Sequence, residues 1–444
     1  MASGSARGLA LGVVDQTGPV WEFFPGWRDV ESKLPIDGDT IFGLASVTKS
    51  FTALSVLALD GEGVLSIDDP LRDHIPEFTN RSRPDVVRLR HLLCHSGGFF
   101  PLPRTLASDV ARDMGIEDSI ENGIERREDL AVEGTRRVAE QLDEQSRFTG
   151  RTGQRLSYCN DGFGLLSDVV RRKTGRPFVD FVDEKILSPL GMTRTNGSFA
   201  RNAVDGNVST LYTDEKGEHR ADHNFVYQAF VLPGGGGLKS TLHDMERYVM
   251  MFLNEGLAPD GSVLVRRSTL ERMERPRQLM CHGVWYGYGL QVRPEGGVTF
   301  YGHGGSLPGV SSYFCYCREL GLGVVVLCNT LGVEVSALAL GVMRLLGDLP
   351  SPERTFRPRT WSADEVAQLP GSYVSGEGDV LKVTAPSAGT LAMTLNGKPV
   401  GLEPVFPWEG RVRSPWSDVW FSAVRDDDGR VFAARWGSRI LPKS

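Results

Sequence analysis

The sequence predicts an α+β domain followed by a small all-β domain. Strand-like runs open the chain at Leu9–Val14 and return only after Gly283, while the stretch between them carries helical periodicity. Past Gly347 that periodicity gives way to short alternating runs separated by turn residues.

The 444 residues include 40% hydrophobic and 24% charged side chains, enough apolar material for a large core. Lysine and arginine number 49 against 56 acidic residues, a net charge of −7. This leaves neither a basic footprint for nucleic acid nor a polybasic face for anionic membranes. No apolar run approaches the ~20 residues of a membrane span. Residues 1–9 hold no basic stretch leading into an apolar one, so a cytoplasmic location is expected. Six cysteines in so long a chain match no disulfide framework and no zinc spacing. Cys315 and Cys317 read as two positions on one face of a buried strand.

In chain order, strands at Leu9–Val14 and Val20–Phe24 are joined by the turn residues 15–18. A helix follows over Ser46–Asp60, with Val47, Phe51, Leu54 and Ala58 on one face and Gly61 and Gly63 as its stop. Residues 104–153 are rich in charge and read as surface helices, Glu133–Gln145 above all. They are also expected to form a lid that sets substrate size. Further helices fit Gly162–Thr174, stopped by Gly175, and Thr241–Leu253, capped by Ser240 or Thr241. Strands then fit Tyr288–Val292, Val310–Tyr316 and Leu322–Cys328, followed by an apolar helix at Ala337–Leu346. Residues 347–360 read as a proline-bearing linker. The remainder, 361–444, is a meander with strands at Leu381–Thr384, Leu391–Leu395, Val419–Val424 and Val431–Trp436. Asn396-Gly397 and 426–429 are its hairpin signals.

Three local patterns carry chemistry. Ser46 and Lys49 are spaced i, i+3 where a strand or loop enters a helix, so both share one face. A serine there meets free backbone N–H groups, and a lysine beside a buried hydroxyl can be held neutral as a base. By itself the same pattern suits a capping serine and a solvated lysine. Tyr158 and Asn160, two apart in an extended segment, point the same way; a phenol can pass a proton and an amide can hold a carbonyl. The third is Gly302-His303-Gly304-Gly305-Ser306, a histidine in a glycine turn whose flanks admit close backbone approach. The Ser306 N–H is free there to join that of Ser46 as an oxyanion hole.

Together these motifs resemble the serine β-lactamase and penicillin-binding-protein-like hydrolases, especially the class C β-lactamase, D-aminopeptidase and carboxylesterase branch. His91-Leu-Leu-Cys-His-Ser-Gly-Gly98, Pro189-Leu-Gly-Met192, Gly235-Gly-Gly-Leu238 and Tyr286-Gly-Tyr-Gly-Leu290 support the resemblance in order. It implies a β-lactamase/transpeptidase-like fold over residues 1–346: an antiparallel sheet flanked by helices, with a helical subdomain near 66–235 and the site between them. It also implies Ser46 as acylated nucleophile and Lys49 as its base or as the group that keeps Tyr158 ionised. Tyr158 would protonate the leaving group and then activate water. Asn160 would orient substrate and Lys49. His303, Gly304, Gly305 and Ser306 would line the closing strand. The meander at 361–444 resembles the lipocalin-like appendages of D-aminopeptidase-type relatives, which shape access or assembly.

Two departures refine this. His303 stands where lactamases carry the lysine of Lys-Thr-Gly, which weakens recognition of a β-lactam carboxylate and leaves lactamase chemistry as a side activity. Family members also place a helix before the first strand, and here the chain begins almost on that strand. The expected activity is hydrolysis of amide bonds in small peptides or N-acyl compounds. An esterase or acyltransferase using the same acyl-enzyme is the alternative, and a non-catalytic scaffold is a third reading that the intact Ser46, Lys49 and Tyr158 disfavour. A small-molecule or short-peptide substrate and possible self-association are expected, with no metal or organic cofactor. The run Gly234–Ser240 lacks the Gly-Lys step of a phosphate loop. His91 and His95 lack the glutamate of a zinc-protease helix and read as structural.

Overall fold

The computed structural model describes residues 6–103, 110, 112–115, 127–215, 218–222, 232–350, 356–387, 389–413 and 418–444. Its centre is an antiparallel sheet built from the two ends of the first 330 residues. The strands are β1 (Leu9–Val14), β2 (Pro19–Phe23), β3 (Gln278–Cys281), β4 (Val284–Tyr286), β5 (Gln291–Glu295), β6 (Val298–Leu307), β7 (Val310–Cys317) and β8 (Leu322–Cys328). They lie in the order β2-β1-β8-β7-β6-β5-β4-β3. Alternation divides the central strands between two cores. Ala10, Val14, Phe314, Tyr316, Val325 and Leu327 face the larger one. Leu9, Leu11, Val13, Cys315, Cys317 and Cys328 face the other, so Cys315 and Cys317 do share one buried face. Burying both faces is why these strands read as nearly continuous apolar runs; each large side chain so buried contributes roughly 1.5–3 kcal/mol.

The helices that matter for the site are α1 (Thr48–Gly61), α2 (Asn160–Thr174), α3 (Leu242–Leu253) and α4 (Val335–Leu346). Helices α1 and α3 are joined through Phe51 and Tyr248, whose rings stack at 3.9 Å, and α4 covers the opposite face of the sheet. Helix α2 ends on Gly175, whose φ of 68° is the left-handed cap that glycine supplies. Thr241 caps α3, accepting from the Asp244 N–H at 3.2 Å.

Several expected boundaries shift. Ser46 lies in a 3-10 turn before α1 rather than inside the α-helix, and α1 runs on through Gly61. The strand expected at Tyr288–Val292 begins at Gln291 because Gly289 turns the chain with φ 69°. The helix placed at Glu133–Gln145 spans Arg127–Asp143. Most of residues 104–126, the core of the expected lid, lie outside the described residues, as do 351–355 of the expected linker.

Among the described residues the C-terminal region is all-β apart from a helix at Ala363–Gln368, which the sequence did not announce; a capping box between Ser362 and Glu365 starts it. Four strands between Gly371 and Val400 form one sheet and five between Leu402 and Pro442 another. Trp361, Tyr373, Leu381, Phe421 and Leu441 pack between them. The Asn396-Gly397 hairpin turn has φ 50° and 79°, the left-handed pair that this dipeptide favours.

Candidate active site

Ser46 sits in the 3-10 turn Ala45–Val47. Its predecessor Ala45 is fully buried at φ 47°, a left-handed conformation that costs a residue with a Cβ about 1–2 kcal/mol. The surroundings impose it. The Ser312 hydroxyl donates to the Leu44 carbonyl at 2.7 Å, and the Leu44 N–H donates to Leu238 at 3.0 Å. Strand β6 presses from the other side: a Cβ at Gly305 would lie 2.2 Å from the Leu44 oxygen. Only glycine lets the strand approach the serine turn so closely.

One turn on, Lys49 is fully buried. Its Nζ donates to Ser46 Oγ at 2.9 Å, to Asn160 Oδ1 at 2.8 Å and to the Gly235 carbonyl at 2.5 Å. Three donors meet three acceptors, and none of the acceptors is a carboxylate. Burial is the main reason its pKa falls to about 7; Arg439 lowers it further, while Glu377 pulls it back up. The glycine run 234–237 is thereby explained. A Cβ at Gly234 would lie 2.6 Å from the Phe163 carbonyl, and one at Gly235 would lie 3.2 Å from that of Asn160. The run threads between α1 and α2 to place a carbonyl on the lysine.

Tyr158 and Asn160 share one side, as the spacing predicts, and both reach Lys49. The backbone is extended through Cys159 and turns helical at Asn160, the first residue of α2. Lys49 Nζ stands 4.9 Å from the centre of the Tyr158 ring. Burial raises the phenol's pKa, an effect that the Ser46 hydroxyl and Arg439 oppose. His95 supports the pair. Its Nδ1 accepts from the Cys159 N–H at 3.1 Å, and its ring packs 4.1 Å from that of Tyr158. This is the structural role expected of it, although it lies within the site's wall.

His303 lies within the ten-residue strand β6, as the resemblance implies, and not in the turn that its flanking glycines suggest locally. Pairing with β7 puts His303 opposite Phe314 and Ser306 opposite Ser311. The ring is buried, and burial together with Lys49 lowers its pKa to about 3, so it is neutral. Its Nδ1 lies 2.7 Å from the Gly304 carbonyl and must carry the proton. Nε2 then accepts from the Tyr286 hydroxyl at 2.8 Å. Gly304 is half-buried and Ser306 exposed on the same strand.

Two side chains at the site escaped the sequence reading, and both come from the C-terminal region. Glu377 lies in the turn between its first two strands, and Arg439 opens its last strand. Glu377 Oε1 accepts from Asn160 Nδ2 at 3.1 Å and from the Arg439 guanidinium at 3.2 Å. Arg439 also stands 5.1 Å from the centre of the Tyr158 ring. The backbone fixes this approach: Tyr158 N–H donates to the Ser438 carbonyl at 2.9 Å. Arg435 donates to the Leu156 carbonyl at 3.1 Å. Ser-Gly-Glu377-Gly and Gly-Ser-Arg439 read locally as hairpin punctuation, so nothing in their neighbours marks them.

Residues 1–346 match the Beta-lactamase family. The chain belongs to that family. Among curated relatives, the D-aminopeptidase of Gluconobacter oxydans is 27% identical over 366 residues, covering 82% of this chain and 62% of that protein. Esterase EstB of Burkholderia gladioli is 37% identical over 171 residues, 38% of this chain and 41% of that one. The chain thus spans less than two thirds of the length of either. In fold, it resembles the octameric penicillin-binding protein homologue from Pyrococcus abyssi. That TM-score is 0.67 at 24% identity, over 98% of this chain and 96% of the other. The likeness therefore extends through the C-terminal β region. Among the described residues, no helix is long and apolar enough to cross a membrane.

Proposed function

We propose that the protein is a serine hydrolase that forms an acyl-enzyme on Ser46 and cleaves amide bonds of small peptides or N-acyl compounds. The observation that carries this reading is Lys49 Nζ, buried and 2.9 Å from Ser46 Oγ, with a pKa near 7. A lysine that is half neutral at physiological pH can accept the serine proton as Oγ attacks a carbonyl carbon. The carbonyl oxygen becomes an oxyanion held by the Ser46 and Ser306 N–H groups. As the C–N bond breaks, Tyr158 gives its proton to the departing amine and is reprotonated from Lys49. Water then attacks the acyl carbon, losing its proton to the neutral Lys49 amine, directly or through Tyr158 as it passes its own proton on to Lys49, and that proton returns to Ser46 Oγ as the C–O bond breaks. Lys49 and Tyr158 are expected to titrate as a coupled pair.

Neutral His303 positions Tyr286 and the strand edge rather than supplying a cation. The permanent cation beside Tyr158 is Arg439, already neutralised by Glu377. A charged end of a short substrate entering here meets both signs at once, which favours peptide-like over β-lactam substrates. Ester cleavage or acyl transfer by the same intermediate is the second reading, supported by the esterase relative.

Intact-mass spectrometry after exposure to a fluorophosphonate and to an activated ester tests the chemistry. One adduct mapped to Ser46 and absent from Ser46→Ala is expected. No adduct on folded protein would overturn the reading in favour of a non-catalytic member of the fold. Added amine or alcohol acceptors then separate hydrolysis from transfer.

A further inference from the structure

Away from Ser46, three ligand-type side chains converge where α3 crosses the edge of the main sheet. His243 and Glu246 are three apart in the first turns of α3 and so share one helix face. That helix packs across β1 and β8. In the register of β1 with β2, Glu22 lies opposite Gly12. One donor atom each from Glu22, His243 and Glu246 falls within 4.8 Å of the others.

The backbone beneath them is cut away to make room. A Cβ at Gly12 would lie 2.1 Å from Glu246 Oε1, and one at Gly38 would lie 2.1 Å from His243 Nε2. Glu246 is only 1% exposed, yet apart from the facing Glu22 carboxyl neither of its carboxylate oxygens has a hydrogen-bond partner. A buried carboxylate without donors is costly unless a proton or a cation neutralises it. The charged groups beside it are the facing Glu22 and, one residue along the helix, Arg247. Arg247 itself is drawn to Asp244 at 3.2 Å.

His243 is already oriented as a ligand. Its Nδ1 lies 3.0 Å from Asp39 Oδ1, and its N–H backbone donates to the Gly38 carbonyl at 3.1 Å. Its Nε2 points to Glu22 Oε1 at 3.1 Å. An Nδ1–H held by a carboxylate leaves the Nε2 lone pair for a metal, the carboxylate–histidine arrangement that fixes ring and tautomer.

We propose that Glu22, His243 and Glu246 bind one divalent metal ion of the zinc type, with Asp39 orienting the histidine. Two carboxylates balance the ion's charge, and one imidazole nitrogen with two carboxylate oxygens suits zinc with an open fourth position. The half-exposed Glu22 and His243 give the ion a path from solvent. Bound there, it pins the edge strand β2 to α3 and satisfies the orphaned carboxylate. Neither residue spacing nor any zinc motif signals the set, because Glu22 comes from a distant strand.

The test uses untagged full-length protein stripped with a chelator and titrated with Zn2+ against a chromogenic competitor, with thermal melting alongside. The wild type should bind one equivalent and melt higher with Zn2+. Glu246→Gln keeps the side chain's shape and removes a buried charge, so it should fold in metal-free buffer while losing at least tenfold in affinity. Asp39→Asn should lose less, in keeping with an outer role. No stoichiometric binding by the wild type, or equal binding by Glu246→Gln, would overturn the proposal. A wild type whose melting rises on mild acidification but ignores Zn2+ would also overturn it, in favour of a proton shared between Glu22 and Glu246.

Discussion

The guanidinium of Arg439 lies 5.1 Å from the centre of the Tyr158 ring, so the last strand of the chain stands over that tyrosine. Glu377 completes the arrangement by joining Arg439 to Asn160. The C-terminal region is therefore part of the site's wall and of its electrostatics.

That wall has a signed effect on Lys49, which Arg439 lowers and Glu377 raises. Glu377→Gln should move the acid limb of kcat/KM to lower pH, and Arg439→Gln should move it to higher pH. Profiles measured on one small ester decide the matter. Shifts in the same direction would show that the two side chains act through packing rather than charge.

In the wild type, activity should rise through about pH 7 as Lys49 loses its proton, since only the neutral amine accepts one from Ser46. The sign follows from burial, which disfavours the charged ammonium. The acylation rate under single turnover reads this limb. A rate still rising tenfold per pH unit between 8 and 9 would mean that Lys49 keeps an ordinary lysine pKa.

Gly305→Ala should cost activity far more than stability. Its Cβ would lie 2.2 Å from the Leu44 oxygen and 3.0 Å from the Ala45 Cβ, so the strand or the serine turn must move. A misplacement of about 1 Å at a reacting group can cost on the order of 100-fold. The comparison is kcat against the melting temperature, and a near-wild-type kcat would show that the turn is free to relax.

Tyr286→Phe removes the hydroxyl that donates to His303 Nε2, leaving a buried acceptor without a partner. The cost should be about 1–3 kcal/mol in urea unfolding. An undiminished midpoint would mean that the ring had turned or that water had entered.

Phe51→Ala would leave a cavity against Tyr248, whose ring it stacks upon at 3.9 Å, with both residues fully buried. The expected loss is roughly 3–5 kcal/mol, also read from unfolding midpoints. Because Phe51 lies on the helix that carries Lys49, activity should fall as well.

Features that depend on neighbours along the chain were legible in the amino-acid order alone. Ser46 and Lys49 meet because a helical turn brings i and i+3 together, and Tyr158 and Asn160 reach one lysine because i and i+2 of an extended segment share a side. Cys315 and Cys317 likewise share one buried face of β7 because i and i+2 of a strand point the same way. Where several conformations suit the same residues, local reading failed. Gly302-His303-Gly304 suits a turn as well as a strand, and pairing with β7 made it a strand. Tertiary structure alone decided that Gly235 offers Lys49 a carbonyl, that Glu377 and Arg439 close the site, and that Glu22 meets His243 and Glu246. Each of those contacts joins segments far apart in sequence, and their positions follow from how whole sheets and helices pack.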